Sequence, residues 1–209
     1  MAFALPAEPM PDPEPEHTPE RAPERDGFTV EDWLALPESK QRIELIDGSY
    51  VVSPLAATNH QICTKRLVRV LDDFAPPDLE VTEGANVPCA GEGAIPDVVV
   101  GDADVMLAPT VALDPRHIHL VAEVVSPGRR NRRRDYTDKP RMYAAVGIPT
   151  FLRVELTGDK APCVEVLVLK DAEYVQADRV CAGHTLRLSE PFEVSFDPAV
   201  LVGPRRPGV

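Results

Sequence analysis

Two apolar segments, each holding one carboxylate, constrain the fold of this chain more than any other feature. Residues 95–100 have the sequence Ile-Pro-Asp-Val-Val-Val, and residues 117–125 have the sequence His-Ile-His-Leu-Val-Ala-Glu-Val-Val. Near-continuous apolar runs of this length are typical of strands that are covered on both faces of a sheet. The sequence therefore predicts two adjacent buried strands that carry Asp97 and Glu123.

A buried carboxylate needs a partner, because an unpaired charge in an apolar interior is costly. Asp97 and Glu123, together with a backbone carbonyl near Val124 and water molecules, supply the oxygen ligands that magnesium prefers. Acids in such runs usually meet a cation, a metal or a dense set of hydrogen-bond donors. As one of these, the pattern predicts a site for Mg²⁺ or Mn²⁺, with Asp97 and Glu123 as its ligands.

The flanking sequence alternates between helical and extended patterns. This order predicts an α/β fold, in which helices flank a mixed sheet and antiparallel hairpins follow at the C-terminus. The dipeptide Asp47-Gly48 favours a tight hairpin turn, since glycine tolerates positive φ. The predicted elements are helices at 30–36, 58–74 and 138–147, a hairpin at 42–52, strands at 79–87, 95–100, 117–125, 149–156 and 163–169, and hairpin segments at 174–177 and 185–188.

Chain length and composition predict one folded domain with terminal extensions. Residues 1–26 contain seven prolines interleaved with acids, a composition that cannot bury a core, so we expect a disordered Pro/Glu-rich tail. Residues 27–200 are expected to form a single domain, and residues 201–209 a loose C-terminus.

Net charge and cysteine spacing exclude several classes of protein. The formal net charge is −12, and residues 1–27, with seven acids and two arginines, contribute −5 of it. A protein that coats nucleic acid non-specifically would need a cationic surface, whereas a nuclease needs only local positive charge. The four cysteines include no C-x-x-C pair, which predicts reduced thiols. We find no signal peptide and no segment of membrane-spanning length, so we expect a cytoplasmic protein without membrane association.

Two further motifs have both a functional and a structural interpretation. Five arginines fall within residues 129–134, in a predicted loop. Arg130, Arg132 and Arg133 either bind phosphates or form a solvated loop that balances the acidic surface. His117 and His119 have strand spacing on one face, which suits either a metal site or, more commonly, polar residues on an edge strand.

Several motifs in order along the chain resemble the Uma-type restriction endonucleases, a branch of the PD-(D/E)XK nuclease superfamily. The resemblance covers about residues 28–156. In the usual form of the superfamily, the lysine lies two residues after the glutamate. Here that position is Val125, and the lysine of the resemblance is Lys139, in the following helix. The matching motifs are residues 28–37, Arg42-Ile-Glu44-Leu-Ile-Asp-Gly48, Ser53-Pro54 followed by His60, Pro96-Asp97, Glu123-Val-Val-Ser-Pro127, Asp135-x-x-x-Lys139 and residues 143–147.

The resemblance implies a restriction-endonuclease-like core that hydrolyses phosphodiester bonds of nucleic acid. It implies catalytic roles for Glu44, Asp97, Glu123 and Lys139, with His60 as a secondary candidate. Pro140 disfavours helical geometry at Lys139, so we expect the following helix to begin or kink near Asp138.

The expected partner is nucleic acid, DNA in the first instance, and the expected assembly is a homodimer. Two alternatives stay open. The chain could be a non-catalytic module that binds nucleic acid or protein and retains the nuclease fold, or it could hydrolyse a different phosphoester.

Overall fold

The computed structural model describes residues 27–204, which form three layers around a central six-stranded sheet. Residues 1–26 and 205–209, where the tail and most of the loose C-terminus were predicted, lie outside the described residues. The helices are α1 (Val30–Leu34), α2 (Thr58–Asp72), α3 (Ala103–Met106), α4 (Arg129–Arg133) and α5 (Lys139–Ala145). The strands are β1 (Arg42–Ile46), β2 (Ser49–Ser53), β3 (Leu79–Glu83), β4 (Val87–Cys89), β5 (Glu92–Ala94), β6 (Val98–Asp102), β7 (Ile118–Val124), β8 (Thr150–Glu155), β9 (Cys163–Lys170), β10 (Glu173–Cys181), β11 (Leu186–Leu188) and β12 (Val194–Phe196).

The central sheet is mixed and has the strand order β10-β9-β8-β7-β6-β3. Only β7 and β8 run parallel among its described pairs, and β9 and β10 form an antiparallel C-terminal hairpin. The predicted fold class is therefore confirmed. The predicted pairing of the two acid-bearing strands is also present, because Val98 in β6 lies opposite Ala122 in β7 and the Asp97 amide donates to the Ala122 carbonyl at 3.0 Å.

Alternating side chains of the central strands build two separate cores. Val98 and Val100 of β6 face α2 and the β11–β12 hairpin, whereas Val99 faces α5 and a second sheet. This period of two follows from the pleat of a strand that is covered on both faces. Glu123 lies between Ala122 and Val124, which face α2, so its side chain enters the layer of the second sheet and α5.

The second sheet has the order β2-β1-β5-β4 and positions β1, the strand that carries Glu44. Asp47 and Gly48, which form the turn between β1 and β2, have φ values of 48° and 67°. Positive φ at both residues is the geometry of the predicted tight hairpin. On the other side, the indole of Trp33 in α1 donates to the Ile43 carbonyl of β1 at 2.7 Å. This hydrogen bond fixes β1 at Ile43, between Arg42 and Glu44.

The arginine run is helical, which corrects the prediction of a loop there. The helix start or kink expected near Asp138 is present, because α5 begins at Lys139 after a π-helical turn. α4, a π-helical turn (Arg134–Asp138) and α5 follow one another with helical backbone angles at their junctions. In the π-helical turn the Lys139 amide donates to the Arg134 carbonyl. This widened turn lies directly before Pro140, whose ring would otherwise press on the carbonyl four residues earlier. Lys139 therefore lies inside a continuous helix and not in its first turn.

Two further predictions need correction. Cys163 and Cys181 form a disulfide between β9 and β10, while Cys63 and Cys89 are buried free thiols, so reduced thiols were predicted correctly for only two of the four. The two disulfide cysteines lie directly opposite each other across the antiparallel pair, a proximity that sequence spacing does not reveal.

The core also extends to Leu201, which is fully buried against α2 although it falls in the segment predicted to be loose. Among the helices of residues 27–204, none has the length and apolarity needed to span a bilayer.

Candidate active site

Three carboxylates from three different strands converge at one edge of the central sheet. Glu44 comes from β1, Asp97 immediately precedes β6, and Glu123 lies near the end of β7. Their exposed fractions are 0%, 5% and 2%. Glu44 is held by the Ile95 amide, which donates to Glu44 Oε1 at 3.0 Å. Asp97 is held by the Val124 amide, which donates to Asp97 Oδ2 at 2.8 Å.

Lys139 lies among these carboxylates and is 1% exposed. Its Nζ is 2.7 Å from Glu123 Oε1 and 3.0 Å from Glu44 Oε1. Tyr143, one helical turn later in α5, donates its hydroxyl to the same Glu123 oxygen at 2.5 Å. One face of α5 therefore supplies both the cation and the hydroxyl that satisfy Glu123. The structure brings together all four residues predicted to be catalytic.

His60, the secondary candidate, also belongs to the cluster. It lies in the first turn of α2, is 7% exposed, and has Nε2 3.2 Å from Asp97 Oδ2. The backbone of Val124 also contributes to the raised pKa of this imidazole. The Val124 carbonyl, which the sequence suggested as a metal ligand, therefore lies near His60.

Arg42 is the residue whose importance the sequence did not reveal. In the sequence it stands out only as the first residue of the motif Arg42-Ile-Glu44-Leu-Ile-Asp-Gly48. Its NH1 donates to Asp97 Oδ1 at 2.5 Å, while NH2 lies 3.8 Å from Glu44 Oε1 and 3.9 Å from Glu123 Oε2. The single available signal was its spacing, because Arg42 and Glu44 occupy the same face of β1.

Arg134 and Asp135 complete the surroundings of the cluster from the π-helical turn. Arg134 is bonded to Ser53 Oγ at 2.7 Å and lies 3.6 Å from Glu44 Oε2. Asp135, 2% exposed, accepts from the Ser126 amide at 3.2 Å. One member of the arginine run thus faces the buried acids.

Charges within the cluster shift the acids in opposite directions. Burial opposes ionisation of Asp97 and Glu44, but neighbouring cations, chiefly Arg42 for Asp97 and Lys139 for Glu44, hold the pKa of each below its ordinary value. For Glu123 burial dominates over Lys139 and raises the pKa to about 7. Burial also opposes the charge of His60, but the hydrogen bond to Asp97 raises the pKa of that imidazole. Differently shifted acids at one edge of a sheet are typical of a functional site.

The three arginines predicted to bind nucleic acid lie outside the cluster, on the helix that leads to Lys139. Arg130 is exposed and has no ion-pair or hydrogen-bonding partner within residues 27–204. Arg133 is 76% exposed and only 3.9 Å from Asp138 Oδ1. Arg132 instead bonds Glu155 Oε2 at 2.8 Å and packs over Tyr136. Two of the three side chains are therefore free to contact a ligand.

The two histidines of the His-x-His motif share one carboxylate at the opposite end of β6. His117 Nδ1 and His119 Nε2 lie 2.7 Å and 2.6 Å from the two oxygens of Asp102. These side chains are partly exposed, which agrees with the interpretation as polar residues. The edge-strand position expected for them is wrong, because β7 lies between β8 and β6 in the central sheet. No group of three or more His, Cys, Asp or Glu side chains in the described part of the chain is arranged to hold a metal ion.

The acidic cluster nevertheless has the donor chemistry for a divalent cation. Glu44 Oε2 is buried without a hydrogen-bond partner, and the only charged group near Glu123 Oε2 among the described ion pairs is Arg42, 3.9 Å away. Carboxylate oxygens of this kind suit Mg²⁺ or Mn²⁺. The obstacle is the guanidinium of Arg42, which lies where the three acids converge. The chemistry of these oxygens therefore suits a divalent cation, while the guanidinium lies within 4 Å of all three acids.

A mixed sheet with buried carboxylates and a lysine at one edge defines a nuclease-like fold. The fold is shared with a crystal structure described as "a putative nuclease belonging to DUF820" from Anabaena variabilis ATCC 29413, with a TM-score of 0.65 and 15% sequence identity. The match covers 84% of this chain and 97% of that one. At this identity the likeness establishes the fold alone.

The family follows from the sequence match. The Uma2 family model, described as "Putative restriction endonuclease", matches residues 30–200, and the chain therefore belongs to the Uma2 family. This confirms the family resemblance and supports a nuclease-like function. No curated protein gives a significant match.

Proposed function

We propose that this protein is a metal-dependent endonuclease that hydrolyses phosphodiester bonds of nucleic acid, with DNA as the first substrate to test. The observation that carries the proposal is the contact of Lys139 Nζ with both Glu123 and Glu44, beside Asp97. A buried cation that is shared by two acids and lies next to a third acid can stabilise negative charge that develops in a transition state. The family model that matches this chain, described as "Putative restriction endonuclease", indicates the reaction in which such charge would develop.

Asp97 and Glu123 would hold the divalent cation, Mg²⁺ or Mn²⁺. When bound, that cation would activate the attacking water and neutralise charge on the phosphate. Glu44 orients Lys139 by accepting from its ammonium group. Lys139 stabilises the negative charge that develops on the phosphate oxygens, and Tyr143 holds Glu123 in position through its hydroxyl. His60 fixes the Asp97 carboxylate.

Arg130 and Arg133 would bind the phosphates of the nucleic acid beside this cluster, because both side chains are exposed and neither donates a hydrogen bond to another described side chain. The homodimer and the cytoplasmic location expected from the sequence stay part of the proposal.

One observation favours the non-catalytic alternative. Arg42 and Lys139 together compensate most of the acidic charge without any metal, so the cluster could serve only to hold the fold. A binding module would then interact with nucleic acid in the absence of divalent cations and leave it intact.

The test compares cleavage of single-stranded DNA, duplex DNA and RNA by the wild type and by Asp97→Asn. We expect Mg²⁺- or Mn²⁺-dependent cleavage that EDTA abolishes and that Asp97→Asn lowers by on the order of a hundredfold or more, as for loss of an electrostatic stabiliser. The matched control is Asp102→Asn, at the other end of β6, which should cleave like the wild type. Wild-type protein that cuts none of the three substrates with either metal would contradict the proposal.

A further inference from the structure

Arg42 has the most exposed side chain of the acidic cluster. Its side chain is 27% exposed, whereas those of the three carboxylates are between 0% and 5% exposed. Its Nε and NH2 atoms are nevertheless buried, so the exposure falls on the rest of the side chain. Within residues 27–204, Arg42 is the one side chain whose terminal nitrogens lie within 4 Å of Asp97, Glu44 and Glu123 together.

The contacts of Arg42 are incomplete for a buried arginine. Of its three donor nitrogens, NH1 bonds Asp97, but Nε and NH2 are buried without a hydrogen-bond partner in the described structure. Glu44 Oε2 is also buried without a hydrogen-bond partner. Buried polar groups are nearly always satisfied, so these atoms indicate that a further group, a water molecule or an ion, binds beside them.

Charge balance explains why Arg42 is needed only without a metal. Three buried carboxylates cannot stay ionised unless cations accompany them. Lys139 supplies one positive charge, and Arg134, 3.6 Å from Glu44 Oε2, is shared with the buried Asp135. Arg42 supplies a second, and although burial opposes its charge, the attraction of Asp97 raises the pKa of the guanidinium further. A divalent cation would bring two charges into the same space, after which Arg42 is repelled by it and no longer required.

We propose that Arg42 is an exchangeable counter-cation: it neutralises the cluster in the metal-free protein, leaves when the divalent cation binds, and then contacts a phosphate of the nucleic acid. The inference rests on the proposed function and adds a substrate-positioning role to it. A planar guanidinium on the most exposed side chain of the cluster is suited to this, because it can bind two phosphate oxygens at once.

The exchange predicts opposite effects of one substitution on two ligands. In Arg42→Met, Mn²⁺ no longer competes with a guanidinium, so calorimetry of the metal-free protein should give an affinity roughly tenfold tighter than in the wild type. With metal present, the same variant should bind a cleavage-resistant phosphorothioate DNA duplex roughly tenfold more weakly, through loss of a charge-assisted contact. An arginine that only holds the fold would lower both affinities.

The matched control is Arg69→Met, since Arg69 is 69% exposed on α2 and pairs only with Asp73. It should change neither affinity. Unchanged or weaker Mn²⁺ binding by Arg42→Met overturns the exchange, and unchanged duplex binding overturns the phosphate contact. Wild-type protein that binds no Mn²⁺ at all would overturn the proposed function together with this inference.

A second measurement covers the case in which Arg42→Met does not fold. In the wild type, the Nε–H resonance of Arg42, assigned with Arg42→Lys, should shift when Mg²⁺ is added, while the resonance of Arg69 stays in place. A resonance of Arg42 that is unaffected by saturating Mg²⁺ would overturn the exchange without any loss-of-function variant.

Discussion

Lys139 is the residue on which the cluster depends most, because one ammonium group satisfies two carboxylates in a space that solvent does not reach. Its neighbours Glu123 and Glu44 have exposed fractions of 2% and 0%. If the cation is removed, both acids keep their burial but lose their nearest positive charge. A broken buried ion pair is far more costly than one that was never there.

Lys139→Met should therefore lower the free energy of unfolding of the metal-free protein by about 3–5 kcal/mol, the range for removing one partner of a buried pair. The double variant Glu123→Gln/Lys139→Met should recover part of this loss, because it leaves one buried charge fewer. Urea denaturation of the wild type, both single variants and the double variant measures the coupling. If the double variant is as unstable as the sum of the two single variants, the contact at 2.7 Å carries no coupling energy.

At the residue scale, sequence alone predicted the acids better than their partners. Asp97 and Glu123 were recognisable because a carboxylate in an apolar run is conspicuous, and Glu44, His60 and Lys139 followed from the family motifs. Arg42 was not recognisable as a partner of Asp97, since the two are 55 residues apart and an arginine in a strand is unremarkable. Only the pairing of the two sheets brings them together.

At the element scale, strands were predicted more reliably than helix boundaries. Apolar runs identified β6 and β7 directly, whereas β4 and β5 are only three residues long and have little periodicity. Pro140 correctly indicated an irregularity near Asp138, but a π-helical turn that accommodates proline leaves no signal in the sequence, so the helix that continues before it was missed. The arginine run was therefore predicted as a loop, and the direction in which each arginine points could not be predicted.

The junction of α1 with the second sheet depends on one glycine. A Cβ atom at Gly93 of β5 would overlap the indole ring of Trp33, which in turn bonds β1 at Ile43. Gly93→Ala should therefore destabilise the protein by about 1–3 kcal/mol through overpacking. It should also disturb β1, which carries Arg42 and Glu44, and so weaken metal binding.

Thermal unfolding and Mn²⁺ calorimetry of Gly93→Ala check this expectation. The double variant Gly93→Ala/Trp33→Leu, in which the smaller side chain makes room for the methyl group, should be less unstable than the two single changes predict together. Strict additivity of the single changes would show that the close approach of Gly93 to Trp33 is not the cause.

At the scale of the whole molecule, a chain with a net charge of −12 must bind a polyanion through a small cationic region. The helix formed by α4, the π-helical turn and α5 is the best candidate, since it lies beside the acidic cluster and carries exposed arginines on its outer side. The sequence shows where in the chain these arginines lie, but not in which direction each side chain points. Whether a residue of the run faces solvent or the cluster follows from helix geometry, and Arg134 and Arg132 turn out to have internal partners.

This division leads to the last prediction, which concerns Arg130 and Arg133. Each phosphate contact in duplex DNA contributes about 0.9 to the slope of log K against log salt concentration, so Arg130→Ala/Arg133→Ala should flatten that slope by about 1.8. The control is Arg69→Ala/Arg187→Ala, which removes the same charge from exposed arginines of α2 and β11, on the opposite face of the central sheet. Anisotropy of a labelled duplex over a range of salt concentrations gives both slopes. If the two double variants flatten the slope equally, net charge and not this helix governs binding, because a local phosphate contact would distinguish one face of the molecule from the other.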